Sequence, residues 1–243
     1  MMKITAGAMH YKDLNELVRT SSEKNITIND CVGQRYIGAA SSGKKITVKG
    51  TPGNALGCYL NGSDIIIHGN AQDATGDTMN TGRIVVHGNC GDTTGYGMRG
   101  GKIFAHGDSG YRTGIHMKSY FGNPPVIIIG GAAGTFLGEY QAGGYIIVLG
   151  MNTDKENIVG NFCGTGMHGG KMFLRCCIED IPKSMPKQVK AEQATPEDID
   201  EIKEYIAEYC KLFKEDKEEI LDHEFVVITP NSANPYENLY VNI

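Results

Sequence analysis

No stretch of this 243-residue chain approaches the roughly 20 consecutive apolar residues that a membrane span requires. The amino terminus has no apolar signal segment, which points to a cytoplasmic chain. Seven cysteines, odd in number and without a C-x-x-C pair, read as reduced thiols, and they lack the ligand spacing of an iron–sulfur cluster. With no basic block and a formal net charge of −5, the composition argues against a nucleic-acid surface. There is no P-loop and no G-x-S-x-G elbow, and Met2 leaves no cysteine nucleophile at the amino terminus after initiator removal. Glycine itself disappears after Gly170, although 33 glycines precede that point. Charge divides near the same place: residues 1–180 hold 16 basic and 14 acidic residues, and residues 181–243 hold 7 and 14. Three segments follow: a strand and helix over 1–25, a glycine-rich region over 26–175, and a linker, amphipathic helix and final strand over 176–243.

What the glycine-rich region contains is a repeat. Short apolar runs close on glycines 50, 69, 88, 107, 130 and 150, at spacings of 19, 19, 19, 23 and 20 residues. A period of this length is the signature of stacked units that bury a shared face. Counting back from each glycine, two residues before it stand Val48, Ile67, Val86, Ala105, Ile128 and Val148. Four before it stand Ile46, Ile65, Ile84, Ile103, Val126 and Ile146. Strand side chains alternate, so these columns share the inner face. The expected fold is all-β: a single-stranded right-handed parallel β-helix with a short amino-terminal and a longer carboxy-terminal α-containing extension.

The column three residues before the glycine faces outward and is apolar in most units: Ile66, Val85, Phe104, Ile127 and Ile147. An exposed apolar stripe needs a cover. Two readings stay open: a terminal helix of the same chain, or a partner, including a second copy. The segment after residue 190 offers such a helix. Thr195 suits its N-cap, Pro196 its first position, and Ile199, Ile202, Ile206, Tyr209 and Phe213 one apolar face.

Two segments, Gly95–Gly100 and Gly164–Gly169, match the G-x-G-x-x-G dinucleotide pattern. Each leads into a strand, where that fingerprint requires a helix, so both read as repeat corners. His68, His87 and His106 share one repeat position and are the candidate metal ligands of an independent metal-dependent enzyme. Residues stacked in line do not converge as tetrahedral coordination demands, and counting from the glycines puts Lys49 and Ile129 in the same column. Asn70, Asn89 and Asp108 read as a turn ladder. No catalytic residue is assigned.

Four ordered segments, Gly33–Tyr36, Gly88–Ile103, Glu139–Gly150 and Asn161–Gly170, resemble the glycine-repeat carboxy-terminal domain of glutamate synthase large subunits. In that family the β-helix is architectural, and the cysteine nucleophile, FMN and iron–sulfur cluster reside in other domains. The resemblance therefore implies a non-catalytic scaffold subunit for glutamate biosynthesis from glutamine and 2-oxoglutarate. Its expected partners are a glutaminase subunit and an FMN-binding synthase subunit, with no cofactor in this chain. The same domain occurs in N-methylglutamate synthase and in formylmethanofuran dehydrogenase, which keeps the substrate open.

Overall fold

A computed structural model describes residues 1–151, 153 and 157–231. In chain order it forms β1 (Met2–Thr5), α1 (Tyr11–Thr20), β2 (Asn25–Val32), β3 (Lys45–Thr51) and β4 (Asn61–His68). Then come β5 (Thr81–Val86), β6 (Lys102–Ala105), β7 (Val126–Ile129), β8 (Ala142–Val148) and β9 (Gly169–Leu174). The chain ends with β10 (Val189–Gln193), α2 (Pro196–Phe213), α3 (Lys217–Leu221) and β11 (Val226–Pro230). Sheet dominates, and the strands form one 11-stranded sheet in which β1 to β9 lie in chain order. Each of the first eight pairs in parallel with the next, whereas β11 runs antiparallel to both β9 and β10.

Register explains the period. Ile46 pairs with Ile65, Ile65 with Ile84, Ile84 with Ile103, Ile103 with Ile127 and Ile127 with Ile146. This isoleucine column is fully buried in the main core, together with Val48, Ile67, Val86, Ala105, Ile129 and Val148. Each such side chain contributes roughly 1.5–3 kcal/mol relative to leaving it in water. The turns between strands stack too. The amides of Ala55, Ala74, Thr93 and Arg112 donate to the carbonyls of Asp73, Asp92, Tyr111 and Thr135 in the following unit. Successive units thus bond to one another at two places around the chain, which holds the turns as firmly as the strands.

One unit departs from the glycine count. Ile127, expected on the outward stripe, faces inward, while Ile128 and Val126, expected inside, face outward. The cause lies in the longer turn ending at Pro124-Pro125: strand β7 enters one residue later relative to its closing glycine. Gly130, not Ile129, consequently stands beside His106; the Gly130 amide donates to the carbonyl of Ala105.

Candidate functional site

The outward face of the sheet is where sequence reasoning left two possibilities, and α2 closes it. The buried side chains Ile202, Ile206, Tyr209 and Cys210 pack on Val85, Phe104, Ile128, Ile147 and Phe173 in a second apolar cluster. Val85, Phe104 and Ile147 are buried, Ile66 is partly buried at the margin, and Ile127 belongs to the inner core. None of the five is an open docking residue: the chain covers its own stripe. Tyr209 reaches the sheet because residue 130 is glycine. A Cβ there would lie 2.1 Å from the Tyr209 hydroxyl. Burial raises the Tyr209 phenol above its ordinary range, and its oxygen has no hydrogen-bond partner among the described residues.

Local sequence fixes how α2 starts and where it lies. The Thr195 hydroxyl accepts from the Asp198 amide (3.2 Å) while Asp198 accepts from the Thr195 amide (3.1 Å), a reciprocal cap worth about 1 kcal/mol. Along the helix, Glu208 accepts from Arg83 (2.9 Å) and from Lys102, and Lys171 donates to Asp198 (2.8 Å) and Glu201 (2.6 Å). Burial alone would raise the Glu208 carboxyl, but the hydrogen bonds and charges of Lys102 and Arg83 outweigh it and hold it below its ordinary value. Asp198 is lowered in the same way by Lys171 and Thr195 against the effect of burial. These pairs tie strands β5, β6 and β9 to one helix.

The histidine column is part of the same cover. His68 and His87 stack at 4.8 Å between ring centres, and Phe213 meets His87 edge-on at 5.3 Å and His106 at 4.9 Å. The His106 Nε2 lies 2.9 Å from a Glu215 carboxylate oxygen. Burial, and then the neighbouring His68 and His106, lower the His87 imidazole from its ordinary value. Among the described residues no group of three or more His, Cys, Asp or Glu side chains is arranged to hold a metal ion. The three histidines stand in line, which suits a stacked platform and not convergent coordination.

Other chemistry-bearing side chains are absorbed by the stacking of units. The Asn70 side-chain oxygen accepts from the Asn89 amide, Asn89 from the Asp108 amide, and Asp108 from the Ala132 amide, at 2.8 to 2.9 Å. Buried Thr75, Thr94 and Thr113 donate to carbonyls three residues back. Burial pushes the thiols of Cys90, Cys163 and Cys176 up to about 12 and that of Cys31 up to about 11, far from a reactive thiolate. The described cysteines do not converge, so they do not fit an iron–sulfur cluster. Gly95–Gly100 runs into β6 and Gly164–Gly169 into β9 with no helix following, so no helix N-terminus is aimed at a phosphate. The described helices include none long and apolar enough to cross a membrane.

A feature not anticipated from the sequence lies in the turns. Within each unit two residues flank a corner glycine, two positions before and two after, in the left-handed region. Around Gly114 and Gly138 these are Arg112, His116, Phe136 and Tyr140. Holding the same conformation at the same height, they stack between units. His116 lies on Tyr140 at 5.2 Å and an angle of 7°, Phe136 lies on Phe162 at 5.1 Å, and the Arg112 guanidinium sits between Tyr111 (4.8 Å) and Phe136 (5.5 Å). Lining up the sequence on the corner glycine, and not on the strand glycine, would have found these columns.

A family model described as GXGXG motif matches residues 13–231. The chain is also similar to Uncharacterized protein MJ1350 of Methanocaldococcus jannaschii, 42% identical over 250 residues, covering 98% of this chain and 95% of that protein.

Proposed function

Since the chain belongs to the GXGXG motif family, that of the glutamate synthase carboxy-terminal domain, we propose that it is an architectural subunit of a glutamate-synthase-like complex. In this reading the stacked units form a single-stranded right-handed parallel β-helix. It acts as a rigid spacer between a glutaminase subunit, which releases ammonia from glutamine, and a synthase subunit carrying FMN and an iron–sulfur cluster. The latter adds ammonia to 2-oxoglutarate and reduces the product to glutamate. This chain contributes no reacting group.

The observation that carries the reading is the family match over residues 13–231, most of the chain. The packing agrees with it: asparagines at repeat positions hold one unit to the next, threonines close their own turns, and histidines meet the end of α2. Rigidity of this kind is what a spacer between two catalytic centres requires. Purification of the native protein under mild conditions tests the proposal. A glutaminase chain and a flavoprotein should co-migrate with it, and the assembly should form glutamate from glutamine and 2-oxoglutarate with a two-electron donor. A chain that always migrates alone would sink the idea.

A further inference from the structure

Each turn of the stack is bonded to the unit before it, except the first. The corner-glycine amide donates back to a carbonyl of the preceding unit: Gly57 to Ile37, Gly76 to Leu56 and Gly95 to Thr75. Four residues later a second amide does the same: Asn61 to Ser41, Asn80 to Leu60 and Arg99 to Met79. In the first turn these positions are Gly38 and Ser42, and neither amide has a partner among the described residues. Helix α1 stands on that side of the turn and supplies one of the bonds that a preceding unit would make. The Asn15 side-chain amide donates to the Arg35 carbonyl at 2.8 Å, as the Tyr36 amide does to the Asn54 carbonyl one unit on.

Between α1 and this turn lies a cavity of about 540 Å³, within the range of small-molecule sites. Beside it the Ser41 hydroxyl and the Asn15 Oδ1 are buried with no hydrogen-bond partner among the described residues. Asn15 cannot turn over to find one, because its nitrogen already serves the carbonyls of Tyr11 and Arg35. Buried polar groups are nearly always paired, so unpaired donors and acceptors gathered at a cavity point to a ligand. The Tyr11 and Tyr36 rings, 6.0 Å between centres, line the same space and offer it an apolar wall. Charge at the lining is one-sided. Its one acid, Glu16, is taken up by both prongs of Arg19, at 2.6 and 3.0 Å. Lys44 donates to the Ser21 carbonyl at 2.6 Å, and neither it nor Lys12 forms an ion pair among the described residues. Two positive charges are thus left without a counter-ion, in a chain whose net charge is −5.

We propose that this cavity binds a small organic carboxylate. Its carboxylate bonds to the open amides of the first turn, Lys12 and Lys44 supply the countercharge, and its apolar body lies against Tyr11 and Tyr36. Hydrogen bonds from amides and ammonium groups to an ionised acceptor are about twice as strong as neutral ones, so an anion gains most from this set of donors. A further stacked unit does not fit, because α1 occupies that side of the turn. An inorganic anion would leave the tyrosine wall unused. The site is independent of the scaffold role proposed above.

Benzoate is the probe, with benzamide as its neutral counterpart, each titrated into the isotope-labelled full-length chain and followed by amide NMR. Benzoate should move the amide signal of Gly38, of Ser42 or of both. Gly57 and Asn61, the same positions one unit on and already bonded, should stay in place. Saturation with a Kd on the order of 1 mM suits a probe of about nine non-hydrogen atoms. Benzamide should bind about fivefold or more weakly. Lys12→Gln/Lys44→Gln should weaken benzoate about threefold or more, and Lys12→Gln alone, on the exposed side of α1, about twofold. Lys211→Gln, an exposed lysine of α2, should leave affinity within about 1.5-fold. Benzoate that moves neither amide, or that fails to saturate by about 50 mM, would overturn the proposal. Equal binding of benzamide, or unchanged affinity in Lys12→Gln/Lys44→Gln, would overturn it as well. Inorganic phosphate bound at the same amides as tightly as benzoate, or an acetylated alanine peptide bound there more tightly, would assign the turn to a simple anion or to a peptide strand instead.

Discussion

Gly114 and Gly122 make a matched pair for asking what the corner glycines do. Both hold left-handed backbone, with φ of +72° and +74°. A Cβ on Gly122 would meet nothing within 4 Å, whereas one on Gly114 would lie 2.4 Å from the Ile146 Cδ1 of the next unit. Alanine at either position carries the left-handed penalty of about 1–2 kcal/mol. Only Gly114→Ala adds overpacking, about 1–3 kcal/mol in a core that is already filled. The gap between the two variants is therefore about 1–3 kcal/mol. For a chain of this size that is roughly 2–4 °C in Tm per kcal/mol, readable by calorimetry or by urea midpoints at constant slope. Ile146→Val removes the clashing methyl group, so the double variant Gly114→Ala/Ile146→Val should be less destabilised than the sum of the single changes. Equal losses for Gly114→Ala and Gly122→Ala, or strict additivity in the cycle, would refute the claim that the corner glycine is required by close approach of the next unit.

Phe104→Ala empties a site that is fully buried under α2 and should cost about 3–5 kcal/mol in urea denaturation; a value within about 0.5 kcal/mol would mean the stripe is uncovered. The lowered His87 imidazole has a definite sign. Below its ordinary value of 6.5 the unfolded chain takes the proton first, so stability should fall as pH drops from there, and His87→Phe should flatten that limb of a Tm-against-pH curve. Glu208 acts in a separate window: its depressed carboxyl favours folding above 4.5, and that contribution is lost as pH falls further. Glu208→Gln should reduce stability near neutrality by about 1–2 kcal/mol and reduce it much less near pH 3.

The period, the inner isoleucines and the cap of α2 were all readable from the sequence, because each is a local pattern: a spacing, an alternation, a Thr-Pro start. The orientation of β7 was not. Val126-Ile127-Ile128-Ile129 is apolar at every position since both faces of that strand are buried, so alternation carries no information about which side each residue takes. Counting from Gly130 then inverted Ile127 and Ile128. Strands β10 and β11 were harder still. The antiparallel pairing of β11 with β9 joins residues about 50 positions apart, such as Phe173 with Val227, and β10, which pairs only with β11, begins at the end of what reads locally as a Pro- and Lys-bearing linker. The aromatic turn columns escaped notice because their period is anchored on a different glycine from the one that closes the strands.

The staple between Arg83 and Glu208 joins residues 125 positions apart, and that distance is also a delay. Units built from neighbouring segments can stack as they leave the ribosome, since each contacts only the unit before it. Their outward apolar side has no cover until α2 has been made. Between Phe104 and Tyr209 lie about a hundred residues, so at roughly 5–20 residues per second the phenylalanine waits on the order of 5–20 s. For that interval the nascent chain presents a sticky, strand-shaped surface, and an encounter with a chaperone or with another nascent chain is decided then. The finished molecule keeps no trace of it.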